Sequence, residues 1–217
     1  MNSRILTMTL AVGVFIVALM TYDAAATWPL PGSQRGYEPL QPIAYSHRLH
    51  AGELQIDCTY CHFGAETSRH AGIPPASVCM NCHSFVTAPW GAIRQEDEIA
   101  QKENRKPGLV IAPEIRKIYD AFALNDAREA DPAKQARPIA WTKVHNIPDY
   151  VYFDHRAHTG AGVTCQTCHG PVETMERVRQ VGDLNMGWCV NCHRDVNASG
   201  VAGKPVDASI DCLTCHY

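Results

Sequence analysis

Apolar and polar positions change their pattern repeatedly along this chain. Ile5 to Met20 is free of charge, with Arg4 ahead of it and Asp23 the first acid behind it. Thr21 and Tyr22 extend the run to about the minimum for a spanning helix, roughly 17–20 residues. Residues 1–22 therefore read as a transmembrane anchor. The positive flank puts its N-terminus on the cytoplasmic side and exports the rest. The same stretch also has the form of a signal segment, with Ala24-Ala25-Ala26 as a small-residue cleavage site. Residues 23–44 read as an extended tether, because Pro29, Pro31, Pro39 and Pro42 oppose a helix.

Helical periodicity returns in residues 86–140, which contain neither cysteine nor histidine. Gln95 to Lys106 is strongly charged, with Glu98 and Lys102 one turn apart. Pro107-Gly108 breaks it. Pro113 then opens a second segment in which Ile115, Ile118, Tyr119 and Phe122 recur at helical spacing. Residues 86–140 are thus a helical insert, a solvated pair packing on its surroundings or a docking face for a partner. Residues 45–85 and 141–217 sustain neither a helical nor a strand period. The expected fold class is mainly α with much irregular structure.

Cysteine usage changes this picture. All ten cysteines sit in Cys-x-x-Cys-His units: Cys58/Cys61/His62, Cys79/Cys82/His83, Cys165/Cys168/His169, Cys189/Cys192/His193 and Cys212/Cys215/His216. This spacing is the attachment signature of c-type haem. Two thiols bind the porphyrin edge and the adjoining histidine becomes an axial ligand of the iron. Five units with no thiol left over imply five covalently attached haems and exclude disulfides. Residues 45–85 become a two-haem module and residues 141–217 a three-haem module. Aromatic residues are only 8% of the chain, so the porphyrins themselves must supply much of the apolar core. Without them the chain is expected to be largely unfolded. Haem attachment takes place outside the bacterial inner membrane, which puts the haem-bearing part in the periplasm.

Histidine supply matches iron demand. Eleven histidines are present, and the motifs use five. The other six are His47, His50, His70, His145, His155 and His158, all near a motif. They are the candidate distal ligands, one more than five irons need. Met186 or Met175 is a further candidate in place of one histidine. Histidines three apart, as in His47/His50 and His155/His158, cannot reach one iron together, so each pair should serve two haems. Both pairs lie in a repeated string, Tyr45-Ser46-His47-Arg48-Leu49-His50 and Phe153-Asp154-His155-Arg156-Ala157-His158, a short loop ahead of a motif. Trp28, Trp90, Trp141, Trp188, Tyr60 and Phe63 are expected against porphyrin faces, and Arg48, Arg156 and Arg194 beside propionates. The formal net charge is −3, with no basic tract, so nucleic acid is not an expected partner.

The string from Val144 through His158, followed by Gly162-Val163, the third motif and Met186-Gly187-Trp188 before the fourth, resembles the pentahaem cytochrome subunit of alternative complex III. It is also similar to the multihaem subunit of quinone reductase complexes and, more broadly, to class III cytochromes. The resemblance implies a membrane quinol oxidoreductase. Its iron–sulfur and membrane subunits would be the electron-donating partners, and a cytochrome c or oxidase the acceptor. A small membrane-anchored quinol dehydrogenase feeding a periplasmic reductase is the alternative. No acid–base or nucleophilic constellation is visible, so no substrate site of the chain's own is expected.

Overall fold

The computed structural model describes residues 3–27 and 34–216. Trp28 and the prolines at 29 and 31 lie outside the described residues. Helix α1 is Ser3–Thr27. It runs past the expected end of the anchor and replaces the start of the expected tether, because Ala24 to Ala26 are strong helix formers. Among the described residues no helix is long and apolar enough to cross a membrane. The side chains of α1 are described without a break only from Thr7 to Tyr22.

The motifs all lie on helical turns, which put the two thiols of each on one face. They are α2 (Cys58–Cys61), α3 (Ala76–His83), α7 (Cys165–His169), α8 (Met186–Ser199) and α9 (Cys212–Cys215). Local capping starts three of them. Asp57 accepts from Thr59 N–H at 2.7 Å, Asp211 from Leu213 N–H at 2.9 Å and Asn185 from Trp188 N–H at 2.8 Å.

The insert forms α4 (Trp90–Lys102) and α5 (Pro113–Ala121). Helix α4 starts five residues earlier than its charge pattern suggested, at a proline N-cap, and ends at Lys102 rather than Lys106. Arg105 folds back onto Glu96 at 2.5 Å. The ion pair one turn apart on α4 is Arg94–Glu98, at 3.8 Å. Helix α5 carries the apolar stripe read from the sequence. Ile118 and Tyr119 bury there with Ile43, and Cys79 and Met80 of α3 pack against them. The hydroxyl of Tyr119, wholly buried, donates to the carbonyl of His83 at 2.6 Å. Arg128 donates to the carbonyl of Ser84. The insert therefore packs directly on the second motif.

The repeated strings fold differently. His47 caps a π-helical turn, Arg48–Glu53, whereas the second copy is an ordinary helix α6 (His155–Gly160) capped by Asp154. The π turn lies on a 3-10 turn, Val172–Thr174. Only glycine permits that approach at position 52, since a Cβ there would sit 2.2 Å from the carbonyl oxygen of Glu173. Among the described residues, β structure is limited to isolated bridges at Leu124–Ala130, Val151–His216 and Val201–Lys204.

Candidate haem-binding site

The aromatic residue of each repeated string sets the pose of two imidazoles. Tyr45 meets His47 edge-on at 4.8 Å and 86°, and stacks on His50 at 4.4 Å and 26°. Phe153 meets His155 edge-on at 4.9 Å and 88°, and stacks on His158 at 4.5 Å and 29°. The two copies thus hold their histidines in one geometry despite their different helices. Burial pushes the Tyr45 phenol well above its usual range, with the Cys61 and Cys79 thiols adding to the effect.

Hydrogen bonds then fix the ring nitrogens. Nδ1 lies beside a backbone carbonyl oxygen in His62 (Gly72, 2.7 Å), His83 (Val86, 2.8 Å) and His193 (Ser209, 2.6 Å). The same holds for His50 (Ser46, 2.9 Å), His155 (Arg69, 3.0 Å) and His158 (Asp154, 2.8 Å). A carbonyl only accepts, so each Nδ1 must carry the proton. Each Nε2 then presents its lone pair, as a metal-binding imidazole requires.

Distances between rings complete the test. Two imidazoles on opposite sides of one metal ion have centroids about 6.4 Å apart, from bonds near 2 Å and roughly 1.2 Å from nitrogen to ring centre. His50 and His83 are 6.1 Å apart, His155 and His169 6.4 Å, and His158 and His193 6.1 Å. Each pair joins a motif histidine to one outside the motifs. Among the described residues no three His, Cys, Asp or Glu side chains converge as a metal cage would need; the imidazoles meet in twos. These residues fit haem.

Residues 151–217 match the family model described as cytochrome c7 and related cytochrome c. That stretch bears three of the motifs. The chain is also similar to the menaquinone reductase, multiheme cytochrome c subunit of Nitratidesulfovibrio vulgaris (strain Hildenborough), at 24% identity over 222 residues. The match covers 93% of this chain and 88% of the relative. Both matches are to c-type cytochromes, one of them a multiheme subunit along most of its length.

The remaining sequence candidates fall in different places. His47 is half-buried, and that burial lowers its pKa to about 4, helped by His62 and His50 beside it. Its Nδ1 is the buried side-chain nitrogen or oxygen left without a partner among the described residues. His169 is likewise brought down to about 4 by burial, then by His145, His155 and His62 around it. His145 sits against His169 itself, with ring centroids 4.3 Å apart. His70 lies in the loop whose Arg69 covers the Tyr152 ring at 4.3 Å. His216 faces the Tyr150 ring at 5.9 Å. Met175 is buried, and its carbonyl accepts from Arg48 N–H, while Met186 is 65% exposed at the start of α8. Arg48 and Arg156 do not stand free for propionates: Arg48 bonds Glu53 and Glu176, and Arg156 bonds Asp154. Trp188 lines a groove of about 350 Å³ beside Cys168.

The motif thiols themselves form a row. Burial raises the Cys61 thiol with Cys82 beside it, and the Cys79 thiol with Cys61 beside it. Burial raises the Cys58 thiol, with Cys165 of the other module adding to the effect. Cys168 adjoins Cys192 and Cys189, and Cys189 adjoins Cys215. These influences link the motifs in the order second, first, third, fourth, fifth.

Sequence reading missed the loop that joins the modules. Residues 62–72 offer Gly72 O to His62 and Arg69 O to His155, while Ala65 O accepts from Thr159 Oγ1 at 3.0 Å. Gly64 lets the loop close, since a Cβ there would lie 2.5 Å from His70 O. Backbone acceptors carry no side-chain signature, so only the Gly64 and Gly72 pair hinted at a tight loop. Tyr119 was legible only as part of an apolar stripe, and its hydroxyl bond to the His83 carbonyl depends on how α5 docks.

Proposed function

We propose that this chain is a pentahaem electron-transfer subunit of a membrane quinol oxidoreductase complex. The observation that carries the reading is the set of three imidazole pairs at the spacing of one shared metal ion. The similarity to a menaquinone reductase subunit along nearly the whole chain supports the choice of complex.

The five cysteine pairs would attach the porphyrins, and His62, His83, His169, His193 and His216 would hold the irons. His50, His155 and His158 would pair with His83, His169 and His193 as ligands. His47 would pair with His62, because the repeat makes it equivalent to His155. His70 is the histidine left for His216: Tyr152, under Arg69, donates its N–H to Cys215 O at 2.8 Å. When bound, each haem supplies a one-electron iron couple, and two imidazoles per iron leave no ready position for a substrate. The protein's work is to hold these rings still. Carbonyl acceptors fix the tautomers, Tyr45 and Phe153 fix ring pose, and the row of thiols keeps the attachment points contiguous.

Helix α1 is the membrane attachment in this reading. The support for it is the charge-free run from Ile5 to Met20 in the sequence. Its apolar side chains from Met8 to Tyr22 stand largely exposed, for example Val14 at 69% and Met20 at 69%. The haem-bearing part then lies in the periplasm, between iron–sulfur and membrane subunits as donors and a cytochrome c or oxidase as acceptor.

Mild detergent extraction followed by affinity purification tests the reading, with haem quantitation and low-temperature EPR on the product. Expected are five haems per chain, low-spin signals and co-purifying subunits with quinol oxidation activity. A lone chain recovered without detergent, or a native iron that takes up carbon monoxide, would overturn it.

A further inference from the structure

The geometry around His169 separates two histidines that the sequence offers as candidate distal ligands. His155 lies 6.4 Å away with its ring nearly parallel, at 11°. His145 lies 4.3 Å away, edge-on at 78°, and its Nε2 is 3.2 Å from Nδ1 of His169. No metal ion fits between rings that close. Nor is His145 Nε2 free for another iron, since its lone pair faces the His169 N–H.

We propose that His145 is not an iron ligand but a positioning residue that holds His169 and strengthens it as a ligand. This rests on the reading above, in which His169 and His155 share an iron. With His169 Nε2 on the iron, its Nδ1 carries the proton and donates to His145 Nε2. His145 keeps its own proton on Nδ1. His62, His83 and His193 have backbone carbonyls at this position. An imidazole nitrogen is the more basic acceptor, so it draws more of the proton and leaves more electron density on His169. That favours ferric iron and lowers the potential of the third haem relative to a carbonyl-supported one.

The surroundings keep His145 in place. The N–H of Asn146 donates to Gln180 Oε1 at 3.3 Å. Gln180 is 1% exposed. Its Nε2 donates to Gly182 O at 3.0 Å, its N–H to Tyr37 O at 3.0 Å, and its carbonyl accepts from Gly36 N–H at 2.7 Å. A buried polar side chain with every group engaged is a stiff support. The eleventh histidine, surplus to five two-histidine irons, thereby has a role.

The test uses the holoprotein and its H145A and H145N variants. Each is measured for haem content, EPR spin state, carbon monoxide binding and redox midpoints by optical titration. Wild-type protein lacking covalent haem or low-spin signals would refute the underlying reading, independently of the variants. Given the wild-type result, H145A should keep its haem content, remain low-spin and refuse carbon monoxide. One midpoint should rise by about a tenfold change in equilibrium constant, ~59 mV for a one-electron couple. H145N keeps an acceptor oxygen, so its shift should be smaller, and it decides the question if H145A does not mature. One high-spin, carbon monoxide-binding haem per chain in either variant would make His145 a ligand and overturn the proposal. Midpoints all unchanged in the variant that matures would overturn it too.

Discussion

Replacing Tyr119 tests whether the insert stabilises the second haem motif. The ring is wholly buried against Ile43 and Ile118, and its hydroxyl holds the His83 carbonyl at 2.6 Å. Tyr119→Phe keeps the ring and removes the bond, leaving a carbonyl at the end of α3 without that donor. The cost should be about 1–2 kcal/mol. Tyr119→Ala also removes the ring from a small core, at about 3–5 kcal/mol. For a chain of this size 1 kcal/mol moves the midpoint by about 2–4 °C. Tyr119→Phe should therefore lower Tm by about 2–8 °C and Tyr119→Ala by about 6–20 °C. Thermal unfolding of the holoprotein, followed by far-UV circular dichroism and the Soret band together, measures both. An unshifted Tyr119→Phe would show that the hydroxyl bond does not stabilise the motif. A Tyr119→Phe as damaging as Tyr119→Ala would show that ring burial contributes nothing.

Other outcomes follow from the same structure. His50→Ala and His158→Ala should each create one five-coordinate iron per chain, read as high-spin EPR and carbon monoxide uptake; wild-type spectra from either would break the pairing with His83 or His193. Glu96 is held down to about 2 by the Arg105 hydrogen bond and then by Gly108 N–H, from an ordinary 4.5. Its folded pKa is the lower one, so its contribution is present above about 4.5 and lost as pH falls through about 2. Hydrogen exchange of α4 should therefore separate Glu96→Gln from wild type at neutral pH and not below pH 2; equal exchange at pH 7 would contradict the assignment. Haem-free chain should lack cooperative unfolding, because four of its eight buried hydrophobic residues among those described are alanines. A sharp thermal transition in that apo-protein would show that the side chains suffice as a core.

Covalent chemistry and local order were legible in the sequence because both act over a few residues. Thiols three apart followed by histidine define each motif without reference to anything distant. The stripe Ile115, Ile118, Tyr119 and Phe122 marks α5, and Pro113 marks its start. The repeated aromatic-x-His-Arg-x-His string announces two copies of one device, while the shared ring poses of Tyr45 and Phe153 are seen only in the fold. Charge pattern was a poorer guide to α4, whose start depends on Pro89 as N-cap and whose end depends on Arg105 turning back to Glu96.

Partnership was decided in three dimensions. His50 meets His83, and His155 stands beside Arg69 O, across separations that no periodicity spans. The six histidines outside the motifs look equivalent as letters. Only the fold distinguishes one 6.4 Å from His169 from one 4.3 Å away, and that difference leaves room for a metal ion in one case and for a hydrogen bond in the other. The supports are mostly backbone carbonyls, identical at every residue, so their positions are properties of the folded chain alone.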